Sequence, residues 1–248
     1  MIFVKSEAEI EKMRVAGRVT AKLMDVISRM IKPGVTGLDL EKRAERFIVE
    51  EAVKPAFKGY MGYSSCLCIS LNNAVVHGIP NAKAFREGDI VSIDMGIICD
   101  GFYGDMARTF AVGEIDESKK RLIDVTHESL MKATDCVQEG HQIGDLSHAV
   151  ESWVLSNGYS VVKDFVGHGI GRKLHEDPPI PNFGSPHTGP NIKAGMVFAI
   201  EPMVNMGQEH VKVLSDGWTV VTKDGSLSAH SENTVAVTEN GPEILTRI

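Results

Sequence analysis

Two aspartates lie where a predicted β-hairpin would bring their carboxylates close together. Asp94 lies in the mainly apolar run 90–98, and Asp105 lies in the return segment 102–110. Between these segments is Asp100-Gly101, a pair typical of tight hairpin turns. A two-residue turn makes the aspartates diagonal neighbours on one face. Because buried carboxylates repel each other, the pattern favours a bridging divalent cation. An exposed acidic pair on a solvent-facing strand is the alternative.

Two glutamates and one histidine have comparable surroundings farther along the chain. Glu201 ends the apolar segment 197–200, and Glu232 lies at the edge of a predicted strand over 233–238. His168 stands between glycines, whose small size lets a ligand or metal approach. A neutral imidazole is a common metal ligand. Each residue alone is a weak signal, but together they are more than a solvated surface needs.

The charge and chemistry of these five residues predict a hydrolytic site with two metal ions. Four carboxylates carry a charge that two divalent cations balance, and a bridging hydroxide would leave a single negative charge. One cation would leave the cluster strongly negative. An oxygen-rich donor set with one histidine also disfavours a closed structural zinc site, which prefers cysteine and histidine. Two-metal sites generate hydroxide near neutral pH and polarise a scissile carbonyl.

Four helices and several strands must position these residues. The first predicted helix begins after an S-x-x-E capping box at Ser6 and ends before Pro33, because apolar residues recur there at steps of three and four. Further helices are predicted over 38–52, 116–138 and 144–155. Besides the hairpin, the predicted strands cover 66–71, 196–203, 211–213, 219–222 and 233–238.

The order of these elements suggests an internal repeat of two halves, approximately 6–113 and 114–240. In both halves two helices precede strands, and a carboxylate lies near the end of an apolar strand. Gly88 precedes Asp94 by the spacing at which Gly195 precedes Glu201. Two unrelated α+β stretches are the alternative.

The composition is that of an ordinary globular protein with an acidic balance. The 248 residues carry a net charge of −7, which argues against a nucleic-acid binder that works through a basic surface. No apolar run approaches the ~20 residues that span a bilayer, and the first residues do not resemble a secretory signal. The four cysteines form no CxxC pair, so we expect reduced thiols in a cytoplasmic protein.

The segments that carry the candidate ligands resemble the type I methionine aminopeptidase family over nearly the whole chain. The most specific pieces are NAVVHGIP at 73–80, ID at 93–94 with GFYGD at 101–105, GHGIGRKLHE at 167–176, and IEPM at 200–203. The resemblance implies one catalytic metallopeptidase domain over 1–248. It also implies the α+β pita-bread fold, in which two pseudo-symmetric helix–helix–strand halves share a central antiparallel sheet.

The resemblance assigns five ligands to two divalent ions, which would be cobalt, manganese, iron or zinc. Asp105 and Glu232 would bridge the ions. Asp94 would bind one ion, and His168 and Glu201 the other. Glu201 would also act as the general base that takes a proton from the bridging water.

The resemblance gives two further histidines catalytic roles. His175 would stabilise the developing oxyanion, and His77 would contact the substrate near its α-amine and assist the leaving step. An apolar methionine pocket is implied with Tyr60, Tyr63, Cys68 and Trp218. Two positions depart from relatives: Leu174 replaces a common phenylalanine, and Phe57 replaces a cysteine found in some bacterial relatives. Because a thioether packs against leucine as well as phenylalanine, methionine selectivity should survive.

The implied activity is co-translational removal of the initiator methionine from nascent proteins whose second residue is small. The expected partners are peptides with N-terminal methionine, with transient ribosome contact and no membrane or direct nucleic-acid role. The family default is a monomer. Absence of a long helical insertion between His175 and Glu232, and of an N-terminal extension with zinc-finger cysteines, indicates the short bacterial form.

Two other functions fit the same residues less well. An X-Pro dipeptidase or aminopeptidase P usually carries a separate N-terminal domain, for which this chain is too short. A pita-bread binding protein that has lost catalysis would lack metal ligands or catalytic histidines, which are all present here.

Overall fold

Helices form where the sequence places capping residues ahead of apolar periodicity. The structure is a computed structural model that describes residues 1–248. At the second helix, Thr36 Oγ1 accepts the Asp39 backbone N–H (3.2 Å), and the Asp39 carboxylate accepts the Thr36 N–H (2.9 Å), a reciprocal capping box. The four helices, close to their predicted bounds, are α1 (Glu7–Ser28), α2 (Gly37–Glu50), α3 (Glu117–Asp135) and α4 (Ile143–Ser156).

The chain also forms fifteen strands, and all pairings between them are antiparallel. Many are short, and several small ones were not predicted. In chain order they are β1 (Lys54–Pro55), β2 (Leu67–Leu71), β3 (Ala74–Val76), β4 (Ile90–Cys99), β5 (Phe102–Ala111), β6 (Ser160–Val161), β7 (Gly167–Gly169), β8 (Glu176–Ile180), β9 (Val197–Ile200), β10 (Met203–Asn205), β11 (Val211–Val213), β12 (Val220–Thr222), β13 (Ser228–His230), β14 (Glu232–Thr238) and β15 (Gly241–Ile244).

One nine-stranded sheet brings the two halves of the chain together. Its order is β1-β4-β5-β14-β9-β7-β8, with β2 paired to β4 and β15 paired to β14. The pairing of β5 with β14 joins the early hairpin to the late strands. Two three-stranded sheets complete the fold. The predicted α+β class with a central antiparallel sheet is confirmed.

The hairpin register follows the prediction, but one predicted strand is wrong. Asp94 faces Ala107, and Gly96 faces Asp105. The strand predicted over 196–203 is two strands, because β9 ends at Ile200 and β10 begins at Met203. Pro202 has no N–H to donate to a sheet. Glu201 therefore lies where the chain leaves the main sheet.

Each helix pair covers its own part of the sheet with a separate apolar cluster. Around α1 and α2, buried side chains such as Leu23 and Leu40 pack with Ile93 of β4. Around α3 and α4, Leu146 packs in a cluster with Phe198 of β9. These two clusters hold the strands that carry the candidate ligands.

Helix α1 lies directly against the hairpin because one hairpin residue has no side chain. A Cβ atom at Gly104 would come within 2.9 Å of the α1 backbone at Ala16 and Gly17. The Thr20 hydroxyl of α1 lies 3.3 Å from the Gly104 carbonyl. None of the helices is both long and apolar enough to cross a bilayer.

Candidate metal centre and active site

One cavity of about 170 Å³ is lined by every candidate site residue named in the sequence analysis. It reaches from the carboxylates of the central sheet to aromatic side chains at its mouth. Three further residues, Phe57, Met61 and Leu174, also line it. The nominated residues in the lining are Tyr60, Tyr63, Cys68, His77, Asp94, Asp105, His168, His175, Glu201, Trp218 and Glu232.

Three carboxylates come from neighbouring strands of the main sheet. Ala107 of β5 faces Asp94 of β4 on one side and Glu232 of β14 on the other. Asp105 lies two residues from Ala107 along β5, so its side chain shares the same face. The hairpin supplies two carboxylates, and β14 places a third beside them.

His168 and Glu201 approach the same cluster from β7 and the end of β9. His168 faces Ala199 of β9, and its Nε2 lies 3.6 Å from Glu201 Oε1. His168 Nδ1 lies 2.9 Å from the Gly169 carbonyl oxygen. Because a carbonyl only accepts, Nδ1 donates, and the Nε2 lone pair points toward the carboxylates.

The donor atoms of this cluster fit divalent cations. Ligand atoms of Asp105, His168 and Glu232 all lie within 4.8 Å of one another. Asp94 Oδ1 and Glu232 Oε1 are buried without any hydrogen-bond partner. Buried polar atoms without partners are costly, and an oxygen-rich set with one imidazole suits hard or borderline divalent ions.

Burial makes the protein without metal hold protons on this cluster. It raises the pKa of Asp105 to about 7. Burial, together with neighbouring carboxylates, raises the pKa values of Asp94, Glu201 and Glu232 well above their usual range. Burial lowers the pKa of His168 to about 3, so this ring is neutral and free to bind a metal. Cations that bind here must displace protons from the carboxylates.

The two other nominated histidines lie beside the cluster and are uncharged at neutral pH. His175 Nδ1 lies 2.6 Å from the Tyr60 hydroxyl, and its ring is 4.3 Å from that of His168. Burial lowers the pKa of His175, and it lowers that of His77 to about 4. His77 has a backbone φ of +59°, in a region that non-glycine residues rarely adopt.

Besides the carboxylates and histidines, the cavity wall is apolar and aromatic. Tyr63 and Trp218 meet edge to face with ring centroids 5.0 Å apart. The Tyr63 hydroxyl lies 3.0 Å from the carbonyl oxygens of Leu67 and Gly78, so its polar end faces away from the apolar space. Cys68 is fully buried, and burial raises the pKa of its thiol.

Sequence reasoning missed three residues that contact the nominated ones. His230 is buried, and its Nε2, which has no hydrogen-bond partner, lies 3.7 Å from Glu201 Oε2. Phe165 packs edge to face on His77 at 5.5 Å. Met61 is 83% exposed at the cavity mouth. Only His230 gave a usable signal, since it lies two residues before Glu232.

A second acidic cluster lies outside the cavity and has a structural role. The Glu41 carboxylate accepts the backbone N–H groups of Cys66 (2.6 Å) and Leu67 (3.1 Å) at the start of β2. Glu45 pairs with Lys58 at 2.6 Å. These hydrogen bonds and this ion pair already occupy the carboxylates of Glu41 and Glu45.

Comparison with known proteins places this chain in a metallopeptidase family. The model of metallopeptidase family M24 matches residues 11–239. A methionine aminopeptidase of Clostridium perfringens is 52% identical over 100% of both chains. The crystal structure of a methionine aminopeptidase from Thermotoga maritima superposes with a TM-score of 0.98 at 50% identity, covering 100% of both chains.

A prolidase from Pyrococcus furiosus shares the fold at greater distance. Its TM-score is 0.81 at 24% identity, and the match covers 99% of this chain but 65% of the prolidase. This likeness concerns the fold alone. Together with the methionine aminopeptidase structures, it confirms the predicted pita-bread architecture.

Metal binding should release protons and should stabilise the protein more strongly as pH rises. The folded-state pKa of Asp105 is about 7, above the ~4 of an unfolded aspartate. A raised folded-state pKa stabilises the metal-free protein below pH ~4, and this contribution is lost as pH rises toward 7. The increase in Tm caused by saturating Mn²⁺ should therefore grow between pH 5 and 7.

Calorimetric titration of Mn²⁺ in buffers of different ionisation enthalpy should show proton release at pH 6. Asp105→Asn should reduce that release, whereas Asp135→Asn, at an exposed position, should leave it unchanged. Proton uptake, or an increase in Tm that does not vary with pH, would contradict the assignment of these carboxylates.

Proposed function

The chain belongs to metallopeptidase family M24 and, within it, to the methionine aminopeptidases, and on that premise we propose that it removes N-terminal methionine by a two-metal hydrolytic mechanism. It is a metal-dependent hydrolase. The observation that carries the mechanism is the convergence of four carboxylates and one neutral histidine on a single cavity, with Asp105, Glu232 and His168 buried. We further propose that it acts in the cytoplasm on nascent chains.

We assign both metal ions to the five ligands nominated from the sequence. As the family resemblance implies, Asp105 and Glu232 would be shared, Asp94 would serve one ion, and His168 with Glu201 would serve the other. Two divalent ions match the charge of the four carboxylates. Bound there, such ions would lower the pKa of a water molecule and polarise the scissile carbonyl.

Glu201 is the proposed general base. Its carboxylate lies at the end of β9, with His168 Nε2 at 3.6 Å from Oε1 and His230 Nε2 at 3.7 Å from Oε2. Burial and neighbouring carboxylates raise its pKa, which suits a group that must take a proton and give it up again. We propose that Glu201 accepts a proton from the attacking water and passes it to the leaving amine.

His175 is the proposed donor to the developing oxyanion. If the Tyr60 hydroxyl donates to His175 Nδ1 across their 2.6 Å contact, the ring proton lies on Nε2. A neutral imidazole in this tautomer can donate to a carbonyl oxygen as negative charge forms there. Tyr60 would thus fix both the tautomer and the orientation of the ring.

The remaining lining groups support recognition of a methionine with a free amine. Tyr63, Cys68 and Trp218 offer an apolar pocket that a flexible thioether can fill. With two divalent ions and a bridging hydroxide, the cluster would keep one negative charge, which favours the ammonium group of a chain terminus and supports exopeptidase action. His77, held by Phe165 and near Trp218, would contact the substrate beside that amine and assist departure of the leaving group.

Experiments can distinguish the proposed function from the two alternatives, an X-Pro peptidase and a binding protein that has lost catalysis. The prolidase shares the fold but extends well beyond the length of this chain. A protein that only binds partners would have no use for five converging metal-ligand candidates beside two neutral histidines. A small residue after the methionine is part of the proposal, on the strength of the likeness to the methionine aminopeptidases.

Release of free methionine from Met-Ala-Ser should require a divalent ion. We expect no release by chelator-treated protein, recovery with Mn²⁺, Co²⁺, Fe²⁺ or Zn²⁺, and none from the Glu201→Gln variant. Met-Lys-Ser should be cleaved far more slowly than Met-Ala-Ser. Full activity without bound metal would overturn the two-metal mechanism, and cleavage confined to X-Pro peptides would favour the proline-specific alternative.

Replacing the proposed oxyanion donor should lower kcat more than it changes KM. His175→Ala should reduce kcat for Met-Ala-Ser by ~10²-fold, as for loss of one oxyanion donor. His148→Ala, on the exposed face of α4, is the matched control and should behave like the wild type. A decrease of less than threefold at position 175 would show that the assigned role is wrong.

A further inference from the structure

A buried ion pair outside the cavity joins the N-terminal segment to the loop that carries His175. Lys5 Nζ lies 2.8 Å from Glu176 Oε2, and the two side chains are only 6% and 3% exposed. We propose that Lys5 is a positioning residue that holds His175 in its working orientation through Glu176. This inference rests on the proposed function, because it takes His175 to be the oxyanion donor.

The Glu176 carboxylate ties together the turn that precedes it. Its Oε1 accepts the backbone N–H groups of Arg172 (2.9 Å) and Lys173 (3.1 Å), while Oε2 accepts Lys5 Nζ. Three donors therefore converge on one buried carboxylate. His175 is the next residue back along the chain, so the geometry of this turn determines where its ring lies.

Glu176 also helps to set the register of the short β7–β8 hairpin, which carries both site histidines. It is the first residue of β8 and faces Gly169 of β7, which directly follows His168. The rings of His168 and His175 lie 4.3 Å apart across this hairpin. A shift of the Glu176 backbone would therefore change the separation of the two rings and the contact of His175 with Tyr60.

Lys5 is itself held in place from two directions. Its backbone N–H donates to the Gly195 carbonyl (2.7 Å), and its Nζ contacts the Phe3 carbonyl (3.3 Å). Gly171 leaves room for the pair, since a Cβ there would come within 2.6 Å of Lys5 Cε and 2.9 Å of a Glu176 oxygen. The backbone on both sides is thus shaped around this contact.

Removing the lysine charge should loosen the turn. A buried carboxylate that loses its charged partner is strongly unfavourable, so Glu176 would reorient toward water or another donor. Its bonds to Arg172 and Lys173 would weaken as it moved. Displacement of a catalytic group by about 1 Å can cost ~10²-fold in rate, and loss of an outer supporting partner typically costs ~10–100-fold.

The test compares Lys5→Met with Lys22→Met, which removes an exposed lysine from α1. With Mn²⁺ bound, Lys5→Met should lower kcat for Met-Ala-Ser by ~10-fold or more, with KM within about twofold and metal content unchanged. Lys5→Arg should recover part of the loss. Unchanged kcat in Lys5→Met, or loss of metal instead, would overturn the proposal.

A double-mutant cycle separates positioning of His175 from a general structural effect. In a His175→Ala background, Lys5→Met should cause little further loss of kcat, because the group it positions is already gone. An equal further loss there would overturn the proposal. If Lys5→Met fails to fold, the double variant Lys5→Met/Glu176→Gln can be tested instead, because it leaves no unpaired buried charge. A wild-type kcat in that double variant would also overturn the proposal.

A readout without turnover keeps this inference distinct from the proposed function. The ring NMR signals of His175, assigned by their absence in His175→Ala, should shift in Lys5→Met and stay in place in Lys22→Met. If the wild-type protein proves inactive but Lys5→Met still shifts the His175 signals, the proposed function is wrong and the link from Lys5 to His175 stands. Unshifted signals would overturn the link whatever the activity.

Discussion

The free-energy cost of gathering four carboxylates in one cavity is the constraint on which the rest of the structure depends. Asp94 Oδ1 and Glu232 Oε1 lie there without hydrogen-bond partners, at a cost that packing alone does not offset. The nearby Arg108 donates to the Glu232 main-chain carbonyl rather than to its carboxylate. Cations are the natural way to remove the penalty, and the α+β framework keeps the ligands fixed for them.

Different elements of the fold hold different parts of that carboxylate cluster in place. Antiparallel pairing through Ala107 sets the spacing of the acidic side chains, and the two helix pairs support the sheet through separate apolar clusters. The break at Pro202 lets Glu201 face the cavity where the chain leaves the main sheet. In the inferred arrangement, Lys5 and Glu176 extend this support to His175, so residues outside the cavity contribute to the geometry of the active site.

The sequence predicted contacts between residues close together in the chain better than contacts between residues far apart in it. The placement of Asp94 and Asp105 followed from a local turn and the two-residue period of strands, and the structure reproduces that register. The surroundings of Glu201, Glu232 and His168 made them candidate ligands, but their meeting with the hairpin aspartates needed the family resemblance, since no local rule places β14 beside β5. Neither route could find the Lys5–Glu176 pair, whose partners lie 171 residues apart, or the exposed Met61.

Counting the metal ions bound by each chain tests the central claim most directly. Equilibrium dialysis against Mn²⁺, followed by elemental analysis, should give two ions per chain in the wild type. Substitution of a shared ligand, as in Glu232→Gln, should reduce that number. One ion or none at saturation, or an unchanged count in Glu232→Gln, would contradict the view that the buried carboxylates form a two-metal centre.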